Sequence, residues 1–144
     1  MPRVIVARPP LPAVAVGVVD ADKDGQCLLS ATLFVLGCRV VPLDCQADSG
    51  GAIGPQLKAN EPEVVVWRLA PVHGPAGGPL LSLLASRALV GIGVVVLSTS
   101  PVETADLLRD HHVHVLASPF TAVALMGAVR DAHAARARST PVVA

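Results

Sequence analysis

Short apolar runs bounded by Pro, Gly or charged residues recur along the chain and alternate with segments of helical spacing. The first strong run is Ala13 to Val19, ending at Asp20. After Asp24, Leu28, Leu29, Thr32, Leu33 and Leu36 follow a helical repeat that Gly37 stops. Arg39 to Leu43 reads as a second strand. Ser49 to Asn60 reads as a second helix, although Gly50, Gly51, Gly54 and Pro55 work against its first turns. Glu63 to Leu69, with Val64-Val65-Val66-Trp67 inside it, is a third strand, and a Pro/Gly-rich loop runs from Ala70 to Gly78. Pro79 suits the first turn of a third helix whose Leu80, Leu81, Leu83, Leu84 and Leu89 are apolar on more than one face, as expected of a helix packed on a sheet. Gly93 to Leu97 is a continuous apolar strand, Pro101 opens a fourth helix through about Asp110, Val113 to Leu116 is a short fifth strand, and the last helix spans Phe120 to about Arg138.

Nearly uninterrupted apolar strands are buried on both faces, and parallel strands need crossover helices to join them. The pattern therefore predicts an α/β fold, a (βα)5 doubly wound parallel sheet with the flavodoxin-like order 2-1-3-4-5. Residues 1–12 are expected to be an N-terminal extension, 13–138 the domain and 139–144 a flexible tail. In this fold the functional crevice lies beyond the carboxyl ends of the first and third strands, which selects Asp20, Ala21, Asp22 and Arg68.

Composition narrows the reading. Hydrophobic residues are 52% of the 144 and charged residues 15%, which excludes a disordered segment. Aromatics are 2%, so Val, Leu, Ala and Ile must build the core. The formal net charge of zero gives no field favouring nucleic acid or an anionic membrane. No apolar stretch is long enough for a membrane span, and the start lacks a secretory apolar core, so a cytoplasmic location is expected. Cys27, Cys38 and Cys45 form no Cys-x-x-Cys pair and read as small apolar fillers.

Four short segments sit at strand ends in a telling order. Val18-Val19-Asp20-Ala21-Asp22 follows the first strand, and Pro62-Glu63-Val64-Val65-Val66-Trp67-Arg68-Leu69-Ala70-Pro71 spans the third. Val94-Val95-Val96-Leu97-Ser98-Thr99 closes the fourth, and Ser118-Pro119-Phe120 follows the fifth. From Asp20 to Arg68 is 48 positions, from Arg68 to Ser98 is 30, and from Ser98 to Ser118 is 20. Over about Val14 to Ala132 this arrangement resembles the CheY-like receiver family of response regulators. The resemblance implies an acidic pair at Asp20 and Ala21, a phosphoacceptor Asp at position 68, a Ser/Thr at Ser98 and a Lys at Ser118. Here one acid is Ala21, the acceptor is Arg68, and the Lys is Ser118. Val115 stands where the family often carries an aromatic ring.

Arg68 has no nucleophilic oxygen and stays protonated, so it neither accepts a phosphoryl group nor ligates magnesium. The expectation is a pseudo-receiver, not an enzyme, with no cofactor, no metal and no Mg2+, that acts in signalling by binding a protein partner or a second copy of itself. No nucleic-acid or membrane partner is expected. Its degenerate pocket comprises Asp20, Ala21, Asp22, Arg68, Ser98, Thr99 and Ser118, with Arg68 either paired to Asp20, holding one conformation, or pointing to solvent. The candidate partner surface contains Leu107, Leu108, Val115, Val123 and Met126.

Other readings compete. Asp22 or Asp44 would be a substitute phosphoacceptor. A flavodoxin-like domain binding a small ligand at the crevice and the 70–78 loop is a further alternative, but that loop lacks both P-loop and dinucleotide spacing. His111, His112 and His114 are poorly spaced for a closed metal site. A Ser98-His73-Asp20 triad lacks a nucleophile elbow. A fragment of a longer regulator is disfavoured by the short Ala/Arg stretch after Ala132. The basic end of the last helix is explained by its dipole.

Overall fold

The computed structural model describes residues 13–43, 50–69 and 78–139. Among these residues ten elements alternate: β1 (Ala15–Val19), α1 (Lys23–Val35), β2 (Arg39–Pro42), α2 (Gly50–Asn60), β3 (Val64–Arg68), α3 (Gly78–Ala85), β4 (Gly93–Ser98), α4 (Pro101–Leu107), β5 (His114–Ala117) and α5 (Ala122–Ser139). The five strands form one parallel sheet in the order β2-β1-β3-β4-β5. The predicted fold class and strand order are thus observed.

The Val-rich strands divide two cores by simple alternation. On β3, Val64 and Val66 face α1 and α5 together with Val16, Val18, Leu29, Leu33, Val95, Leu97, Leu125 and Val129. Val65 and Trp67 face the other side, with Leu57, Leu80, Leu83, Val94, Val96 and Leu108. The edge strands β2 and β5 are only partly buried, as expected of strands with one neighbour. Two glycines mark close approaches. A methyl on Gly17 would meet Leu43 Cδ1 at 2.9 Å, and one on Gly93 would run into the Ala132 carbonyl of α5, whose carbon lies 2.7 Å from the added atom.

Element boundaries moved where caps decide them. The first helix starts before Asp24, because Asp22 accepts a hydrogen bond from the Gly25 N–H at 3.3 Å and acts as N-cap. The glycine-rich second helix does form, with Pro55 inside it, and its Ile53 and Leu57 are buried against β3. Tertiary burial outweighs weak local propensity there. The third and fourth helices are shorter than expected, ending at Ala85 and Leu107. The last helix runs to Ser139, one residue past the expected domain end.

Several side chains depart from their expected roles. Leu108, a candidate for the partner surface, is a core residue with 1% of its surface exposed, because the α4 chain end turns it under the sheet. Cys27 is exposed on α1 and is not a filler, whereas Cys38 is buried and its thiol is pushed up by desolvation, slightly offset by Arg130. Asp44, Cys45 and His73 lie outside the described residues, as do residues 1–12, 70–77 and 140–144.

Candidate functional site

The alternation that builds the sheet also aims the site. Asp20 continues the series Val16, Val18, and Arg68 continues Val64, Val66, so both side chains emerge on the side covered by α1 and α5. Register supports this, since Val19 pairs with Trp67 across β1 and β3. Arg68 Nη1 lies 3.4 Å from Asp20 Oδ2. The Asp20 side chain is 5% exposed and the Arg68 side chain 47%. The second carboxylate oxygen, Asp20 Oδ1, accepts from the Asp22 backbone N–H at 2.9 Å. Asp20 is thereby fixed from two directions, while Arg68 is held by one long contact.

Gly25 makes this arrangement possible, and sequence reasoning missed it. A Cβ there would lie 2.6 Å from Asp20 Oδ2 and 2.7 Å from Arg68 Nη1. The guanidinium therefore occupies the space above the first turn of α1 that any larger residue would fill. A signal was present, because glycine inside a helix costs about 1 kcal/mol relative to Ala and implies a packing reason.

The other pocket residues are not drawn to Arg68. Ser98 is buried, and its hydroxyl shares a 2.7 Å hydrogen bond with Thr104 and accepts from the Ser100 N–H at 3.0 Å. Thr104 is a second residue absent from the sequence reading. Its hydroxyl, one turn into α4, takes up the hydrogen-bonding capacity of Ser98. Thr99, Ala21 and Asp22 are exposed. Ser118 lines a cleft of about 290 Å³ with Arg68, Gly25, Leu28, Leu97 and Phe120.

The donor set does not fit magnesium. Asp20 is spent on a guanidinium and an N–H, Ala21 supplies no side-chain oxygen, Asp22 caps α1, and the Arg68 guanidinium beside Asp20 is itself a cation. Among the described residues no group of His, Cys, Asp or Glu gathers to hold a metal, His111, His112 and His114 included. No described helix is long and apolar enough to cross a membrane.

A second ionic cluster lies at the opposite end of the sheet. Glu63 Oε2 lies 2.7 Å from His133 Nε2 and 3.0 Å from Arg136 Nη2, and Oε1 accepts from the Ala15 N–H at 3.2 Å. An ionised carboxylate only accepts, so His133 Nε2 carries the proton. The His133 hydrogen bond is the main reason the Glu63 carboxyl sits below its usual range; desolvation opposes it, and the Ala15 N–H and Arg136 add to it. This cluster ties α5 to the starts of β1 and β3.

Comparison of the whole fold decides the architecture. A response-regulator receiver domain protein from Clostridium thermocellum superposes with a TM-score of 0.68 at 18% identity, over 87% of this chain and 98% of that one. A receiver protein from Sinorhizobium medicae gives 0.67 at 21% identity, over 87% and 98%. The fold is a receiver fold. A CheY-like receiver domain protein from Methanospirillum hungatei agrees, at 0.65 and 21% identity over 86% and 97%. No protein-family model matches the sequence, and no curated protein matches it.

Proposed function

We propose that this chain is a phosphorylation-independent receiver-fold module that serves signalling by binding protein, without catalysis of its own. The observation that carries this reading is Arg68 at the end of β3, resting over Gly25 and against Asp20. A guanidinium offers no atom to phosphorylate, and its charge opposes a divalent cation at the same place.

The Arg68–Asp20 pair is a bias and not a rigid lock. A single contact of 3.4 Å on a half-exposed Arg is worth about 0–1 kcal/mol after solvent screening. Such a term shifts a two-state equilibrium by about fivefold at most. The buried Ser98–Thr104 bond adds a second restraint on the β4–α4 connection.

Incubation with acetyl phosphate and Mg2+, followed by intact-mass measurement, tests the reading. No stable gain of one phosphate is expected. A stoichiometric gain, traced by peptide mapping to Asp22 or Asp44, would replace it with phosphorylation on a substitute carboxylate. The cleft beside Arg68 supports a small-ligand reading in second place. A ligand library that raises the melting temperature in wild type but not in a Leu97→Trp variant would favour that reading.

A further inference from the structure

Chain-wide aromatic content is two Phe and one Trp, and one of these three is displayed to solvent. Trp67 is 4% exposed in the core, whereas Phe34 on α1 is 73% exposed. It does not stand alone. Leu28 and Val35 are 72% and 83% exposed, and Cys27 and Ala31 are exposed too. These five residues share the outward side of α1, opposite Leu29 and Leu33, which are buried against β1 and β3. No charge interrupts the face from Cys27 to Val35. Monomers leave single apolar residues exposed, but a contiguous helix face of this kind marks an interface.

We propose that this face of α1 binds a second copy of the chain, in an antiparallel helix pair with its two-fold axis at Ala31. Three features select that occupant. The first is symmetry: positions 27, 28, 31, 34 and 35 are spaced evenly about Ala31. In an isologous pair Leu28 meets Phe34 of the second copy, Cys27 meets Val35, and Ala31 meets itself. The smallest of these side chains thus falls where the helices approach most closely, with the bulky ones to either side.

The second feature is charge. The face is neutral and does not repel itself. In the first turn of α1 exposed Lys23 and Asp24 offset each other, so the end of the face adds no net charge. The helix dipoles also oppose each other favourably. The third feature is size. The exposed surface of the five residues is on the order of 500 Å² per copy, so a pair buries at most about 1,000 Å² in total, the size of a weak interface. A weak, concentration-dependent dimer is the result.

The inference deepens the protein-binding reading by naming a surface and a partner, and does not depend on the fate of phosphate at Asp20 or Arg68. Its test is the oligomeric state of the full chain by sedimentation velocity, up to about 100 μM. Wild type should shift from monomer to dimer as concentration rises. Phe34→Glu and Leu28→Glu, both at exposed positions, should remain monomeric with unchanged circular dichroism, while Val123→Glu on α5 should dimerise like wild type. An Ala31→Cys variant in a Cys27→Ser, Cys45→Ser background should give a diamide-oxidised covalent dimer, because facing Cα atoms at a close helix crossing fall within disulfide reach. A wild-type monomer throughout, or a dimer that survives Phe34→Glu, overturns the proposal. So does a monomer that binds lipid vesicles through Phe34, which would reassign the face to a membrane surface. Acetyl-phosphate labelling reports separately on the pocket, so the two readings fail independently.

Discussion

The two ends of the sheet carry ion pairs of opposite character. At the carboxyl end, where the crevice of a doubly wound sheet opens, Arg68 meets Asp20 through one contact of 3.4 Å and leaves nearly half of its side chain in water. At the amino end, Glu63 binds His133 at 2.7 Å, Arg136 at 3.0 Å and the Ala15 N–H. The first cluster joins two neighbouring strand ends and rests on a glycine. The second joins β1, β3 and the final helix, elements distant in sequence. Strong electrostatic geometry here marks structural attachment, and the cluster at the crevice end is the looser one.

The sharpest way to break the comparison is to insert the same methyl at both ends. Gly93→Ala at the amino end forces the new atom into the Ala132 backbone carbonyl, which cannot move unless α5 lifts from β4. Urea denaturation should show a loss of about 2–4 kcal/mol. Gly25→Ala at the carboxyl end meets only side-chain tips, those of Asp20 and Arg68 and, at 3.3 Å, Asp22. Arg68 can swing into solvent, and Ala gains about 1 kcal/mol of helix propensity, so the net change should stay within about 1 kcal/mol. Equal losses from the two variants would show that the ends are equally rigid.

A smaller effect comes from acid. Glu63 has its folded-state carboxyl lowered, so its contribution is present above the unfolded value of about 4.3 and is lost as pH falls through the lower folded value. At pH 7 the Glu63→Gln variant should be less stable than wild type by about 1 kcal/mol, the figure being kept small because a third of the side chain is exposed. The gap should close as urea midpoints are followed down through about pH 4 to pH 3. A gap that is constant across this range would remove the ionised carboxylate from the account of how α5 is held.

Much of this contrast was legible in the sequence at one end and hidden at the other. The Val runs at β1, β3 and β4 specify buried parallel strands, and the rule that crevices open at strand carboxyl ends brings Asp20 and Arg68 together from 48 positions apart. Glu63 and His133 are 70 positions apart, and nothing in the last helix distinguishes His133 from residues that merely complement its dipole. Their meeting depends on where α5 crosses the sheet, which Gly93 sets by its lack of a side chain. Ser98 is a different case. It closes β4, and its hydroxyl turns to Thr104, because a buried polar group takes the nearest partner. The outward face of α1 was illegible for a related reason: the helix is apolar on both sides, so periodicity alone does not say which side meets the sheet.

The smallest expected effect bears most directly on the crevice end. Arg68→Gln removes the charge but keeps much of the stem over Gly25. Asp20 loses one partner, retains the Asp22 N–H, and gains access to water once the guanidinium is gone. The stability change should therefore be under about 1 kcal/mol in urea, since a half-exposed pair contributes little and its loss is partly replaced by hydration. A loss several times larger would mean that Asp20 stays dehydrated without Arg68, and would turn a mild bias into a structural lock. Arg68→Lys separates shape from charge. A lysine keeps the positive charge but lacks the planar fork, so if only charge matters it should match wild type, and if the guanidinium's fit above Gly25 matters it should resemble the Gln variant. The contact is single and long, so the charge is the part expected to count, and the Lys variant should lie closer to wild type.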